Sequence, residues 1–247
     1  MKPIIVASAV DQGRVGLDEI IDTGNGNYRY GSRVHHDWKK GGFGKITAAG
    51  VIIESSVIGS IRIAEQLGSA GMVRAFSEFG YGAGGSSSGF PSATAGHLPP
   101  VTDQESAEQF LPGVAGGYVG FFATPLEIVQ SFVAIANGGK LLKPTEWRGR
   151  KTEPSVVRQL LSPKTAELMR AVLVRAVHEG TGKNAVSPLY STGGKTGTMT
   201  KRDQRLLAQY QPDNKDTAHF VGFAPAVNPR LVVYVVIDEP EGRGHGN

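Results

Sequence analysis

A chain of 247 residues is long enough for one large domain or two small ones, and 40% hydrophobic with 19% charged residues is an ordinary globular composition. The net charge of +4 is spread out, with Lys39-Lys40 and Lys201-Arg202 as mere pairs, which argues against nucleic acid as a partner. The absence of cysteine excludes disulfides and thiolate metal sites, and no run of 18 apolar residues is present to form a transmembrane helix.

Met1 to Val10 has the outline of a signal peptide, but its charged region is one lysine and Asp11 ends the apolar run. Residues 4–12 are predicted as a buried helix that Gly13 stops. Gly16 to Gly44 reads as polar loop, with short extended pieces around Tyr28-Arg29-Tyr30. His35-His36 and Asp37 lack a third ligand at useful spacing, so exposed loop histidines are expected and no metal site. From Ile46 to Leu67 the recurrence of Val51, Ile52, Ile58, Ile61 and Ala64 predicts a helix, closed by Gly68. A second helix is predicted from Ser69 to Phe79, and Gly80 to Pro112, rich in Gly, Ser and Pro, is predicted irregular.

Thr124-Pro125-Leu126-Glu127 is the clearest helix start in the chain. Thr124 can cap, Pro125 suits the first helical position, and Glu127 completes a capping box. That helix carries Leu126, Val129, Phe132, Val133 and Ala136 inward and stops at Gly138-Gly139, before a short extended stretch from Leu141 to Pro144. Ser162-Pro163 starts another, with Leu168, Met169, Val172, Leu173, Ala176 and Val177 inward and Gly180 at its end. Two apolar strands, His219 to Ala224 and Leu231 to Ile237, flank an Asn228-Pro229 turn after a polar loop from Lys201 to Asp216. Helices first and antiparallel strands last make an α+β order.

Between these parts lies Gly193-Gly194-Lys195-Thr196-Gly197-Thr198, readable as a strand with a bare, polar face. Glycine inside a strand often marks close approach by a ligand or another backbone. Lysine supplies a point charge and threonine a directional hydroxyl, which suits an extended anionic ligand held along a sheet edge. A phosphate-binding loop would need glycine five residues before Gly194, where Leu189 stands. No carboxylate pair is distinguished by its placement.

The order of short motifs carries more. Ser55-Ser56-Val57-Ile58-Gly59 precedes Gly80-Tyr81-Gly82; then come Gly117-Tyr118-Val119-Gly120 through Thr124-Pro125-Leu126 to Ala136-Asn137-Gly138-Gly139, and Lys195-Thr196-Gly197-Thr198. Phe220-Val221-Gly222-Phe223-Ala224-Pro225 and Val235-Val236-Ile237-Asp238-Glu239-Pro240 follow. In order and spacing, over nearly the whole chain, this resembles the transpeptidase domain of class B penicillin-binding proteins. The resemblance implies an α+β penicillin-binding/β-lactamase-like fold, helical part plus mostly antiparallel sheet, with residues 1–247 a partial domain incomplete at both termini. It implies serine acyl transfer on peptidoglycan stem peptides ending in D-alanyl-D-alanine, with β-lactams acylating the same serine. No cofactor and no metal are implied. A β-lactamase is the less similar pattern, since the glutamate and loop of deacylation are not identifiable.

Carried onto this chain, the resemblance makes Lys2, in Lys2-Pro3, the lysine of a Ser-x-x-Lys motif and the proton acceptor. Ser55 becomes the serine of the Ser-x-Asn motif. Lys195 attracts the substrate or β-lactam carboxylate, Thr196 and Thr198 hydrogen-bond it, and Gly197 lets the ligand lie against the strand. The backbone N–H of Thr198 is one oxyanion donor. Two departures stand out. The serine expected three residues before Lys2 falls upstream of Met1, so the chain is expected to be a piece of a longer, membrane-anchored parent on the extracytoplasmic face of a bacterial inner membrane, and inactive by itself. Val57 stands where the second motif has asparagine. A non-catalytic scaffold that binds cell-wall peptide or a division partner is the alternative expectation. An exposed apolar strand around Leu231 to Ile237, and a tendency to aggregate, are expected too.

Overall fold

The computed structural model describes residues 1–83, 94–117, 121–145, 155–200 and 216–241. Tyr118-Val119-Gly120 and the stretch from Lys201 to residue 215 lie outside them. Helix α1, Lys2–Asp11, begins with Pro3 in its first turn. Ile4, Ile5, Val6, Ala7 and Ala9 are all at most 2% exposed. A helix apolar on every side belongs at a centre, and α1 packs against α2 (Ala48–Ile53), α3 (Val57–Glu78), α4 (Gln104–Gly116) and α6 (Pro163–His178).

Four short strands precede or adjoin this bundle: β1 (Ile20–Asp22) pairs antiparallel with β4 (Lys45–Thr47), and β2 (Asn27–Tyr30) with β3 (Arg33–His36). The expectation of exposed loop histidines is corrected in part: both lie on β3, where His35 is buried, as is Asp37, while His36 is exposed. The single helix expected from Ile46 to Leu67 is also corrected. It is strand β4, then α2, then a break at Glu54-Ser55-Ser56, then α3. Ser55 takes the left-handed φ of 60°, which no helix continues through. Gly68, expected to end one helix before another, interrupts α3 with φ 68° and ψ 165°.

Helix α4 was not expected; its residues fall partly in the stretch read as irregular. Asp103 accepts from the Ser106 N–H at 2.7 Å while Ser106 Oγ accepts from the Asp103 N–H, a reciprocal cap that tolerates Pro112 further along. Helix α5, Pro125–Ala136, has the expected box: Thr124 caps Glu127 and Glu127 returns the bond at 2.7 Å. Helix α6 buries Met169, Val172, Leu173, Ala176 and Val177, whereas Leu168, expected inward, is 38% exposed. Strand β5 (Lys140–Leu142) pairs with β6 (Val156–Gln159).

Strands β7 (Gly193–Thr200), β8 (Asp216–Ala224) and β9 (Leu231–Asp238) form an antiparallel sheet in that order. Among the described residues β7 and β9 are therefore both edges. Helix α6 packs on β7, and α5 on β8 and β9. Val232 and Tyr234 turn toward the core, while Leu231, Val233, Val235 and Ile237 stand on the other face, each more than 40% exposed, as the alternation of a strand demands. Val236 is exposed as well. The expected exposed apolar strand is present.

Candidate active site

A cavity of about 830 Å³ opens between β7, the start of α1 and the break before α3. Lys2, Ser55, Lys195, Thr196, Gly197 and Thr198 all line it. Residues almost 200 positions apart in the sequence are thus gathered on one surface.

The Ser55 wall is built from a distance in sequence. The buried Asp37 carboxylate accepts from Ser56 Oγ at 3.0 Å, from the Val57 N–H at 2.6 Å and from the Ile58 N–H at 3.1 Å. Ser56 Oγ in turn accepts from the Gly59 N–H at 2.9 Å. An anion with two backbone donors at a helix N-terminus is favoured by the unpaired amides and the helix dipole together. Trp38 Nε1 donates to the Glu54 carbonyl at 2.9 Å. Asp37 and Trp38 therefore grip the chain on both sides of Ser55 and hold its left-handed turn. Gly59 allows α3 to approach α2: a Cβ there would lie 2.4 Å from Val51 Cγ2. Val57, where an asparagine is expected, is 8% exposed, lines the cavity and presents only methyl groups.

The β7 wall owes its glycines to two different causes. A Cβ at Gly193 would strike the Phe223 ring at 2.4 Å and one at Gly194 the Phe220 ring at 2.5 Å, so these two make room for aromatic rings of β8. The reading of close ligand approach does not apply to them. Gly197 differs: its nearest neighbours would be His219 Cβ at 3.7 Å and Cδ2 at 4.0 Å, both also on the cavity side. The strand is bare there. Tyr234 Oη and His219 Nδ1 are 2.7 Å apart on the same face, their rings parallel within 1°.

Lys195 is 7% exposed. Its Nζ donates to Thr181 Oγ1 at 3.0 Å, to the Thr196 carbonyl at 3.2 Å and to Thr196 Oγ1 at 3.3 Å. Burial pushes its pKa down to about 7, and the neighbouring positive charge of Lys2 adds to the effect. Lys2 is pushed down to about 8 by burial, while the Asp37 carboxylate pulls in the opposite direction. Two amines that are partly neutral near pH 7 to 8 can take up a proton, which an ordinary lysine cannot. On the third side Tyr81 is pinned to α5: its hydroxyl is 3.1 Å from Ser131 Oγ, and the Gly82 and Gly96 N–H groups donate to Glu127 Oε1 at 2.9 and 3.1 Å.

Trp38 and Thr181 escaped the sequence reading, and Asp37 entered it only as a neighbour of the two histidines. Each acts on residues 14 or more positions away, and no local spacing marks them. A lone Asp-Trp pair and a threonine between two glycines are common features of any sequence.

Comparison with known proteins agrees with this architecture. The family model described as penicillin binding protein transpeptidase domain matches residues 1–247. Stage V sporulation protein D of Bacillus subtilis (strain 168) is 33% identical over 98% of the chain and 38% of its own length. The probable peptidoglycan D,D-transpeptidase PenA of Neisseria gonorrhoeae is 31% identical over 99% of the chain and 40% of its own length. The chain thus spans about two fifths of these relatives. Among solved structures, the transpeptidase domain of Burkholderia pseudomallei penicillin-binding protein 3 superposes with a TM-score of 0.87 and 34% identity, over 99% of this chain and 71% of that one.

Proposed function

The chain belongs to the penicillin-binding protein transpeptidase family, and on that premise we propose that its cavity holds a peptidoglycan stem peptide ending in D-alanyl-D-alanine, or a β-lactam in its place. The observation that carries this is the convergence of Lys2, Ser55 and Lys195 through Thr198 on one cavity beside β7, an edge strand among the described residues. An extended peptide adds to such an edge by backbone hydrogen bonds, and Gly197 leaves room for it. The carboxylate end is drawn by Lys195 and received by the hydroxyls of Thr196 and Thr198.

In the acyl transfer a serine Oγ attacks the penultimate carbonyl carbon, the bond to the terminal D-alanine nitrogen breaks, and the serine proton passes to a base. Lys2, lowered toward neutrality by burial, fits the role of that base. Ser55 stands across the cavity to relay the proton to the leaving amine. The Thr198 N–H serves as an oxyanion donor. The serine position three residues before Lys2 is not among the 247 residues. Acyl-enzyme formation requires a serine at that position, and we place the reaction at the extracytoplasmic face of a bacterial membrane. In the described residues no helix is long and apolar enough to cross a membrane. The alternative of a non-catalytic scaffold draws on Val57, which offers no side-chain hydrogen bond to a substrate amide.

Saturation-transfer NMR with N-acetyl-D-alanyl-D-alanine tests the reading, with the L,L dipeptide as control. Transfer to the D,D peptide alone is expected; equal transfer to both, or none, refutes it. Fluorescent penicillin should leave no covalent band on the denatured 247-residue polypeptide. A longer polypeptide with serine three residues before Lys2 should give one, and a scaffold should not.

A further inference from the structure

We propose that Thr181 is a positioning residue that sets the direction of the Lys195 ammonium and the Thr196 hydroxyl, and that carboxylate recognition by β7 depends on it; this rests on the function proposed above. Thr181 sits in the turn Gly180-Thr181-Gly182 that follows α6, and it lines the same cavity. Its Oγ1 accepts from Lys195 Nζ at 3.0 Å and is 2.7 Å from Thr196 Oγ1. Lys195 Nζ also lies within 3.3 Å of Thr196 Oγ1. Three polar atoms thus close a triangle in which every side is a hydrogen bond.

The turn that carries Thr181 is itself fixed from two directions. The Thr181 N–H donates to the Ile53 carbonyl at 3.4 Å and the Gly182 N–H to the Ala176 carbonyl at 3.0 Å. A Cβ at Gly180 would lie 2.2 Å from the Ile53 oxygen, so only glycine permits this seat. Ile53 ends α2, two residues before Ser55. Thr181 therefore joins the Ser55 wall to the β7 wall: its backbone is held by the first and its hydroxyl holds the second. A hydrogen bond to a charged group is about twice as strong as a neutral one, so a lysine kept out of water keeps this partner. With Thr181 in place, Thr196 Oγ1 and Lys195 Nζ are held together at the cavity wall. Without it Lys195 keeps only its bonds to Thr196 and Thr196 Oγ1 loses a partner, so the positive charge that draws a carboxylate is held less firmly.

The charged group facing Lys195 is Lys2, on the α1 side, and a change at Thr181 does not alter it. The test follows the Lys195 midpoint by NMR of protein labelled at lysine Cε, assigned with Lys195→Arg. Thr181→Val keeps the shape and removes the acceptor, so the midpoint should fall by about one pH unit, a tenfold shift of the equilibrium. Thr181→Ala should do the same, and Thr181→Ser should restore the wild-type midpoint. In parallel, transfer from N-acetyl-D-alanyl-D-alanine should be lost in Thr181→Val and Thr181→Ala and kept in Thr181→Ser. An unmoved Lys195 midpoint in both Thr181→Val and Thr181→Ala overturns the proposal, as does peptide binding equal to wild type. If the wild-type protein itself fails to bind the D,D peptide, the functional reading falls, while the lysine midpoints still decide whether Thr181 positions Lys195.

Discussion

Removing the Asp37 carboxylate should unfasten the Ser55 wall, and its cost follows from the bonds it receives. In Asp37→Ala the Ser56 hydroxyl and the Val57 and Ile58 N–H groups lose their acceptor in a buried place. Each buried donor left without a partner costs about 1–3 kcal/mol. Release of a buried carboxylate offsets part of that sum, because its own desolvation is relieved. A net loss of about 3 kcal/mol remains, which for a chain of this size lowers Tm by roughly 6–12 °C. Asp103 provides the comparison: it also caps a helix, but on the exposed surface. Asp103→Ala should cost only about 1 kcal/mol. Urea denaturation followed by circular dichroism, with both variants and Asp37→Asn, measures the difference. Asp37→Asn keeps one acceptor oxygen and should fall between the two. Loss of the negative charge should also lower the Lys2 midpoint further, since Asp37 is what raises it. If Asp37→Ala costs no more than Asp103→Ala, the argument that this carboxylate organises the wall is wrong.

Stability should rise with pH from about 7 to 9.5: Lys195 and Lys2 have folded pKa values near 7 and 8 against an ordinary 10.5, so in that window the unfolded chain binds more protons. The slope is at most about 1.4 kcal/mol per pH unit per lysine, and a flat or falling urea midpoint between pH 7 and 9 would contradict it. Above about pH 11 the trend should reverse, because burial and Glu65 push Tyr28 up to about 12, and the folded state then holds a proton the unfolded state has lost while the unfolded lysines are mostly neutral. Two glycine-to-alanine changes should differ in sign: Gly180→Ala meets the Ile53 oxygen and should destabilise by about 1–3 kcal/mol, whereas Gly71→Ala, in α3 with its nearest neighbour at 3.5 Å, should stabilise by about 0.5–1 kcal/mol in thermal melts. Val235→Lys, on the exposed face of edge strand β9, should reduce self-association in light scattering without lowering Tm, because a charge on an open edge opposes strand-to-strand pairing; unchanged scattering would count against the exposed strand as its cause.

The helix starting at Thr124 and the one starting at Ser162 were legible because their signals are local, a cap and a proline in the first turn; the inward stripe of α5 was misplaced, since Ala134 and Ile135 are fully buried and Leu126, Val129 and Val133 only half so. The strands β8 and β9 were legible for the same reason, and so was the exposed face of β9. The motif order also named residues that the fold brings to one cavity, since a short polar signature keeps its spacing whatever surrounds it. The tertiary structure alone decided how those residues are held. Asp37 looked like one of a loop cluster because its partners are Ser56, Val57 and Ile58, about 20 positions on. The break at Ser55 was hidden inside a continuous apolar period, since a single left-handed residue changes no composition. Gly193 and Gly194 are glycines for the sake of two phenyl rings and Gly197 stands open, a distinction that depends on which side chains of β8 lie behind each. Lys195 was legible as a charge; that its ammonium is shared with Thr181 and Thr196 was not, because burial and hydrogen-bond direction exist only once the chain has closed on itself.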